Sequence, residues 1–301
     1  MTGIDGIIEV ETFRAPGSDR WLLVDVPHGA TRKADYDAVF NELKGALPAQ
    51  LEHFFFVNTD IGAPEGAQHL GRTLSAQGIN VLVARCLIPR TFIDPNRVVA
   101  LSAPGGAMRD GLTAAVPAYV THPEDLAWLG EQHARYHAQV EAAYRFVCGQ
   151  QRGLAVQLHS YSPRSVGITV VDENIVEALH AAYVPEVYAT WPERPPVDLI
   201  SATKDGAFRT APKLVEALLA EYARAGIGAT ENATYHLAPA AMGMVYAQRY
   251  PEQVFCVELN RGLISAPFVP FGVSPIDEAE VARLVDPIAR VVRDALSAPP
   301  R

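Results

Sequence analysis

Five polar residues stand at or just past the ends of apolar runs, and their types are those of a hydrolytic metal site. Trp21-Leu22-Leu23-Val24 leads to His28, Phe54-Phe55-Phe56-Val57 to Asp60, and Val81-Leu82-Val83 to Arg85. Leu154-Ala155-Val156 leads to His159, and Val254-Phe255-Cys256-Val257 runs directly into Glu258. Ligands of open α/β sheets bind beyond the carboxyl ends of the strands, so two imidazoles, two carboxylates and a guanidinium delivered there predict one site.

Each residue also has a plainer reading. His28, followed by Gly29, sits on a tight turn that could hold it by a carbonyl alone. Asp60 reads equally as a metal ligand and as a cap for a helix starting near Pro64. A lone His159 at a strand end is structural; a second imidazole at an equivalent end changes that. Glu258 lies in a run that should be buried, where a carboxylate is either a base with a raised pKa or the partner of an Arg such as Arg261. Arg85, Arg90 and Arg97 could together grip a substrate carboxylate, unless Asp94 neutralises one of them. Strand alternation puts Asp25 and His28 on opposite faces, so they are not expected to pair. His133 and His137 share a helix face, but the HExxH pattern is absent; His133 reads as solvated, and His137 stays open.

The elements that must position these groups alternate between strand and helix. Strands are expected at Ile7–Val10, Trp21–Val26, Phe54–Val57, Ile79–Ala84, Gly153–Leu158, Val197–Ser201 and Val254–Leu259. Helices are expected at Ala34–Leu47, Pro64–Gln77, from Thr121 to about Cys148, and at Glu173–Ala182, Ala211–Ala225 and Asp277–Leu296. Val98–Val120, rich in Gly, Ala and Pro, reads as a long binding or lid loop. The order implies an α/β fold: one domain over residues 1–301, with a mainly parallel (mixed) central sheet and helices on both faces.

With 301 residues, 49% hydrophobic and 20% charged, the chain is ordinary for a globular protein. A net charge of -9 argues against nucleic acid as a partner. Three scattered Cys argue against a disulfide framework. No signal peptide and no membrane-spanning run is evident, so a cytoplasmic protein is expected. The sequence is silent on oligomeric state.

Pro27-His28-Gly29-Ala30, Asn58-Thr59-Asp60, Asp94-Pro95-Asn96-Arg97, Tyr136-His137, Gln157-Leu158-His159-Ser160 and Val257-Glu258-Leu259-Asn260-Arg261, in that order, resemble the motifs of the N-formylglutamate amidohydrolase family. The match is sparse but touches most of the chain. The resemblance implies a phosphorylase/hydrolase-like fold related to zinc carboxypeptidases. It implies His28, Asp60 and His159 as ligands of zinc (manganese, iron and cobalt being the alternatives), and Glu258 as the catalytic carboxylate. Three protein ligands would leave a fourth position for water. Gln157 stands where the family has an acidic residue, the first motif lacks its Ser, and Asn232–His236 replaces a Gly-rich loop containing Lys. The activity expected is hydrolysis of the amide bond of a small N-acyl amino acid, N-formyl included, bearing a carboxylate. Glu258 acts as the base and Arg97 stands beside it among the catalytic groups. Arg85, Arg90 and Asn96 bind substrate, and His137 or His236 steadies the oxyanion. A metallocarboxypeptidase-like peptidase and a non-enzymatic binding member are the alternatives; Thr31, where the Glu of a His-x-x-Glu pair would stand, weighs against the former.

Overall fold

The computed structural model describes residues 1–101 and 112–298. Strands β1 (Ile8–Phe13), β2 (Trp21–Val26), β3 (Asn80–Cys86), β4 (Leu154–Tyr161), β5 (Val197–Ile200), β6 (Ala229–Glu231) and β7 (Val254–Asn260) form one sheet in the order β1-β3-β2-β4-β7-β5-β6. The pairings β3–β2, β2–β4, β4–β7 and β5–β6 are parallel; β1–β3 and β7–β5 are antiparallel. This is the mixed, mainly parallel single-domain α/β architecture expected.

The helices are α1 (Lys33–Phe40), α2 (Leu51–Asn58), α3 (Ala63–Ala76), α4 (Pro123–Tyr144), α5 (Ile175–Ala182), α6 (Pro185–Tyr188), α7 (Pro212–Arg224), α8 (Met242–Arg249), α9 (Arg261–Ile264) and α10 (Glu278–Ser297). Strand side chains alternate between two cores. Leu22, Val24, Val156, Leu158, Phe255 and Val257 pack with α3, α7 and α10. Leu23, Ala155 and Cys256 face the opposite core, with α1, α2, α4, α5 and α8. Burying each large aliphatic contributes about 1.5–3 kcal/mol. In α10 the buried Val281, Leu284, Val285, Ile288 and Val292 make a helical stripe, and the Asp277 carboxylate caps the helix by accepting from the amides of Ala279 and Glu280. No helix among the described residues is long and apolar enough to cross a membrane. The three cysteines are buried free thiols.

Two sequence expectations are corrected. Phe54–Val57 is not a strand but the middle of α2; four apolar residues without alternation suit either element, and here Phe54, Phe55 and Val57 are buried together on a helix. The first helix ends at Phe40 instead of Leu47, and the Lys44 and Gly45 amides that follow donate to the Asp125 carboxylate at the start of α4. Of the expected loop Val98–Val120, residues 102–111 lie outside those described; Val99–Leu101 is a single 3-10 turn and residues 113–120 form no regular element. The long helix continues as a π-helical turn over Arg145–Gln150. The short strand β6 and helix α8 were not foreseen.

Candidate metal centre

The period-two alternation that builds the two cores also selects the site. Asp25, Gln157, His159 and Glu258 share the α4 face, and His159 is directly opposite Glu258 across the β4–β7 ladder. His28 follows the end of β2 on a turn closed by the Gly29 amide donating to the Val26 carbonyl at 3.2 Å. Only glycine fits behind it, since a Cβ on Gly29 would meet Arg85 Cγ at 2.5 Å and the Val26 and Cys86 carbonyl oxygens at 3.0 Å. Asp60 comes from the turn between α2 and α3. Gly62 enters α3 at φ +83°, against Ile264, and α3 has no side-chain cap, so Asp60 is not spent on capping. That turn is pinned by the Thr59 hydroxyl donating to the Ala30 carbonyl at 2.6 Å and the Ser160 hydroxyl donating to the Ile61 carbonyl at 2.8 Å.

His28, Asp60 and His159 are all buried, and one ligand atom from each lies within 4.8 Å of the others. Nδ1 of His28 is 3.2 Å and Nδ1 of His159 is 2.9 Å from the same Asp60 Oδ2. The outward nitrogens are occupied. His28 Nε2 meets Asp94 Oδ1 at 2.8 Å, and His159 Nε2 meets Gln157 Oε1 at 3.2 Å. Gln157 is oriented by its Nε2, which donates to Asp25 Oδ2 at 3.1 Å, so its oxygen faces the imidazole. With each Nε2–H donating outward, both Nδ1 lone pairs and Oδ2 point at one another. Arg90 Nη1, 3.3 Å from His28 Nδ1, supplies part of the positive charge that such a set attracts, and a His, His, Asp set also suits zinc. Burial alone would raise the Asp60 pKa; without an ion, N–H donation and positive charge from His28 and His159 outweigh it and hold the carboxylate well below its ordinary range, a charge that a metal would supply instead. A divalent metal therefore fits the residues present.

Asp25, 1% exposed, makes no hydrogen bond or ion pair with His28, in line with the strand alternation. It accepts from the hydroxyls of Tyr136 and Tyr144, each at 3.2 Å, as well as from Gln157. Burial raises its pKa, opposed by those donors. The missing acidic residue at 157 is thus replaced in space by an amide that links His159 to Asp25.

Glu258 opens partly onto the cavity, yet its Oε2 is buried and without a hydrogen-bond partner. It forms no ion pair with Arg261. Burial pushes its pKa up to about 7, against the pull of His159. Asn96 lines the same cavity: its Nδ2 lies 3.5 Å from His159 Nε2, and its Oδ1 too is buried without a partner.

The arginines part company. Arg90 and Arg97 line the cavity, but both pair with Asp94, at 3.1 and 3.4 Å. Burial raises the Asp94 pKa, but Arg97, Arg90 and His28 together hold it well below normal. Arg97 also donates to the carbonyls of Asn96 and Thr113. Arg85 is not on this cavity. It donates to the Gly29 carbonyl at 2.7 Å and pairs with Glu9 and Asp35, behind the turn that carries His28. Its expected place in a carboxylate pocket is corrected to a brace for that turn. His133 is buried, not solvated: its Nε2 lies 3.2 Å from the Arg97 carbonyl and 3.1 Å from His137 Nε2. Neither imidazole lines the cavity, whereas His236 does.

The cavity is about 300 Å³, at the small end of small-molecule sites. Besides the groups above it is walled by Arg194 and Arg261, which sequence reasoning had passed over as site residues. Arg261 carried a signal: it falls three residues after Glu258, within the same late-strand motif.

No protein-family model matches this chain, and no curated protein matches it in sequence. Among solved structures it is similar to N-formylglutamate amidohydrolase from Ralstonia eutropha JMP134, with 18% identity, a TM-score of 0.53, and coverage of 95% of this chain and 99% of that one. It is also similar to a gene product of Agrobacterium tumefaciens, with 16% identity, a TM-score of 0.53, and coverage of 99% and 98%. These likenesses define the class of fold, an end-to-end α/β domain of the type seen in those structures.

Proposed function

We propose that this chain is a metal-dependent hydrolase that cleaves the C–N bond of a small N-acyl amino acid. The observation that carries the reading is the convergence of His28, Asp60 and His159 within 4.8 Å, beside a Glu258 carboxylate oxygen that is buried and unpartnered. His28, Asp60 and His159 would hold the ion, zinc by donor chemistry with manganese, iron and cobalt as alternatives; when bound it supplies Lewis acidity to a carbonyl and acidifies water. Asp94 and Gln157 hold the outer nitrogens of the two imidazoles, keeping both Nδ1 lone pairs inward. Glu258, with a pKa near 7, is suited to take a proton from water on Oε2 and pass it to the departing nitrogen. The balance is amide plus water giving carboxylate and amine. His236 and the Asn96 side-chain amide, through its Nδ2, are among the cavity groups that could donate to an oxyanion.

Elemental analysis of the purified protein, with a panel of N-formyl and N-acetyl amino acids, tests this. Stoichiometric metal is expected, lost in His28→Ala, Asp60→Ala and His159→Ala together with hydrolysis. Undiminished hydrolysis by a metal-free sample refutes it.

A further inference from the structure

Two cations in the cavity are not neutralised. Arg261 is 4% exposed, and among the described residues it makes no ion pair. Only its Nη1 is engaged, donating to the Val57 carbonyl at 2.7 Å, while Nε is buried with no acceptor. A buried guanidinium left this way is costly unless a ligand completes it. Arg194 is held over the rings of Tyr161 and Tyr235, with its carbon 5.2 and 5.3 Å from their centroids, and its Nε donates to Ser165 Oγ at 3.0 Å. That leaves its terminal nitrogens free of any carboxylate among the described residues. Arg90 and Arg97, by contrast, are already answered by Asp94. Both free arginines act electrostatically on Glu258, so they belong to the same chamber as the reacting groups.

One wall of that chamber is apolar. Phe54 and Val57 of α2, Ile175 and Leu179 of α5, and Ile168 from the loop between β4 and α5 line it. A second carboxylate on the substrate would have to be desolvated against these side chains.

We propose that Arg194 and Arg261 form the subsite for the free carboxylate of the substrate, and that the wall of α2 and α5 takes an apolar group. The substrate class is then an N-acyl amino acid with one carboxylate and an aliphatic side chain or acyl chain, rather than an acidic amino acid. This rests on the hydrolase reading above. A planar fork held over aromatic rings recognises a carboxylate through paired N–H bonds, which a carboxamide cannot reproduce.

The test compares metal-loaded protein on N-formyl-leucine, its carboxamide, N-hexanoylglycine and N-formylglutamate. The free acid of formyl-leucine is expected to exceed its carboxamide in kcat/KM by about 10- to 100-fold, the worth of a charge-assisted pair. Formyl-leucine or hexanoylglycine is expected to exceed formylglutamate. Arg261→Gln and Arg194→Gln should bring the ratio of acid to carboxamide kcat/KM toward one, a ratio in which any loss common to both substrates cancels; Arg261→Lys should restore it in part. Equal rates on acid and carboxamide, an unchanged preference in both Gln variants, or formylglutamate as the best substrate overturns the subsite. Calorimetry on metal-free protein with N-formyl-leucine separates this from the chemistry. Binding that both Gln variants lose, with thermal unfolding unchanged, supports the subsite even if no substrate is cleaved; no binding to wild type overturns it even if the hydrolase reading stands.

Discussion

Replacing Glu258 with Gln tests both its burial and its role. In the folded chain burial raises its pKa from 4.5 to about 7. The folded state then holds the proton more tightly than the unfolded chain. The stability this gives is fully present below pH 4.5 and is lost as pH rises through about 7. The gap corresponds to about 3 kcal/mol, less to the extent that cavity water reaches the carboxyl. Gln keeps the shape and does not ionise. For metal-free protein in urea, Glu258→Gln should match wild type near pH 4.5 and become more stable by up to about 3 kcal/mol at pH 8, a large part of a typical total of about 5–15 kcal/mol. In metal-loaded protein the same variant should keep its metal and lose about 10²- to 10⁴-fold in kcat, the usual worth of a positioned base. Wild-type kcat/KM should rise through the pKa of this carboxyl, as it does whenever the ionised form takes the proton. Parallel pH curves for the two proteins would refute the desolvated carboxylate. Full turnover by the Gln variant would refute its work as a base.

Two further outcomes follow from the groups around the site. Asp25→Ala leaves two tyrosine hydroxyls and the Gln157 amide without their acceptor, and should cost at least about 3 kcal/mol in denaturant; Asp25→Asn, which keeps an accepting oxygen, should cost about 1 kcal/mol, so equal losses would contradict the network. Burial, with His133 adding to it, pushes the His137 pKa down to about 3, so its ring signals in NMR should stay flat from pH 5 to 8, and a titration near 6.5 would show that the imidazole is solvated.

The sheet was legible because β2, β3, β4 and β7 each contain a run of three or four consecutive apolar residues followed by polar ones. The same logic misread α2, where three phenylalanines in a row carry no period. Asp60 was found through the wrong element, since the chain reaches it from a helix. The roles of the arginines were not legible. Whether a guanidinium is free depends on which carboxylate folding brings beside it, and Asp94 meets Arg90 and Arg97 only because the turn after Pro89 folds them around it. Gln157 looked like a lost acid, and no linear pattern could reveal that Asp25, from a neighbouring strand, stands behind it.

His28 and Asp60 are 32 residues apart, and Asp60 and His159 are 99 apart. No two of the three belong to one local motif, so no short excised peptide could reproduce the cluster. A proteolytic cut between α3 and β4 puts two members on one fragment and the third on the other. Cation uptake by such a nicked sample would therefore report whether the halves still hold together.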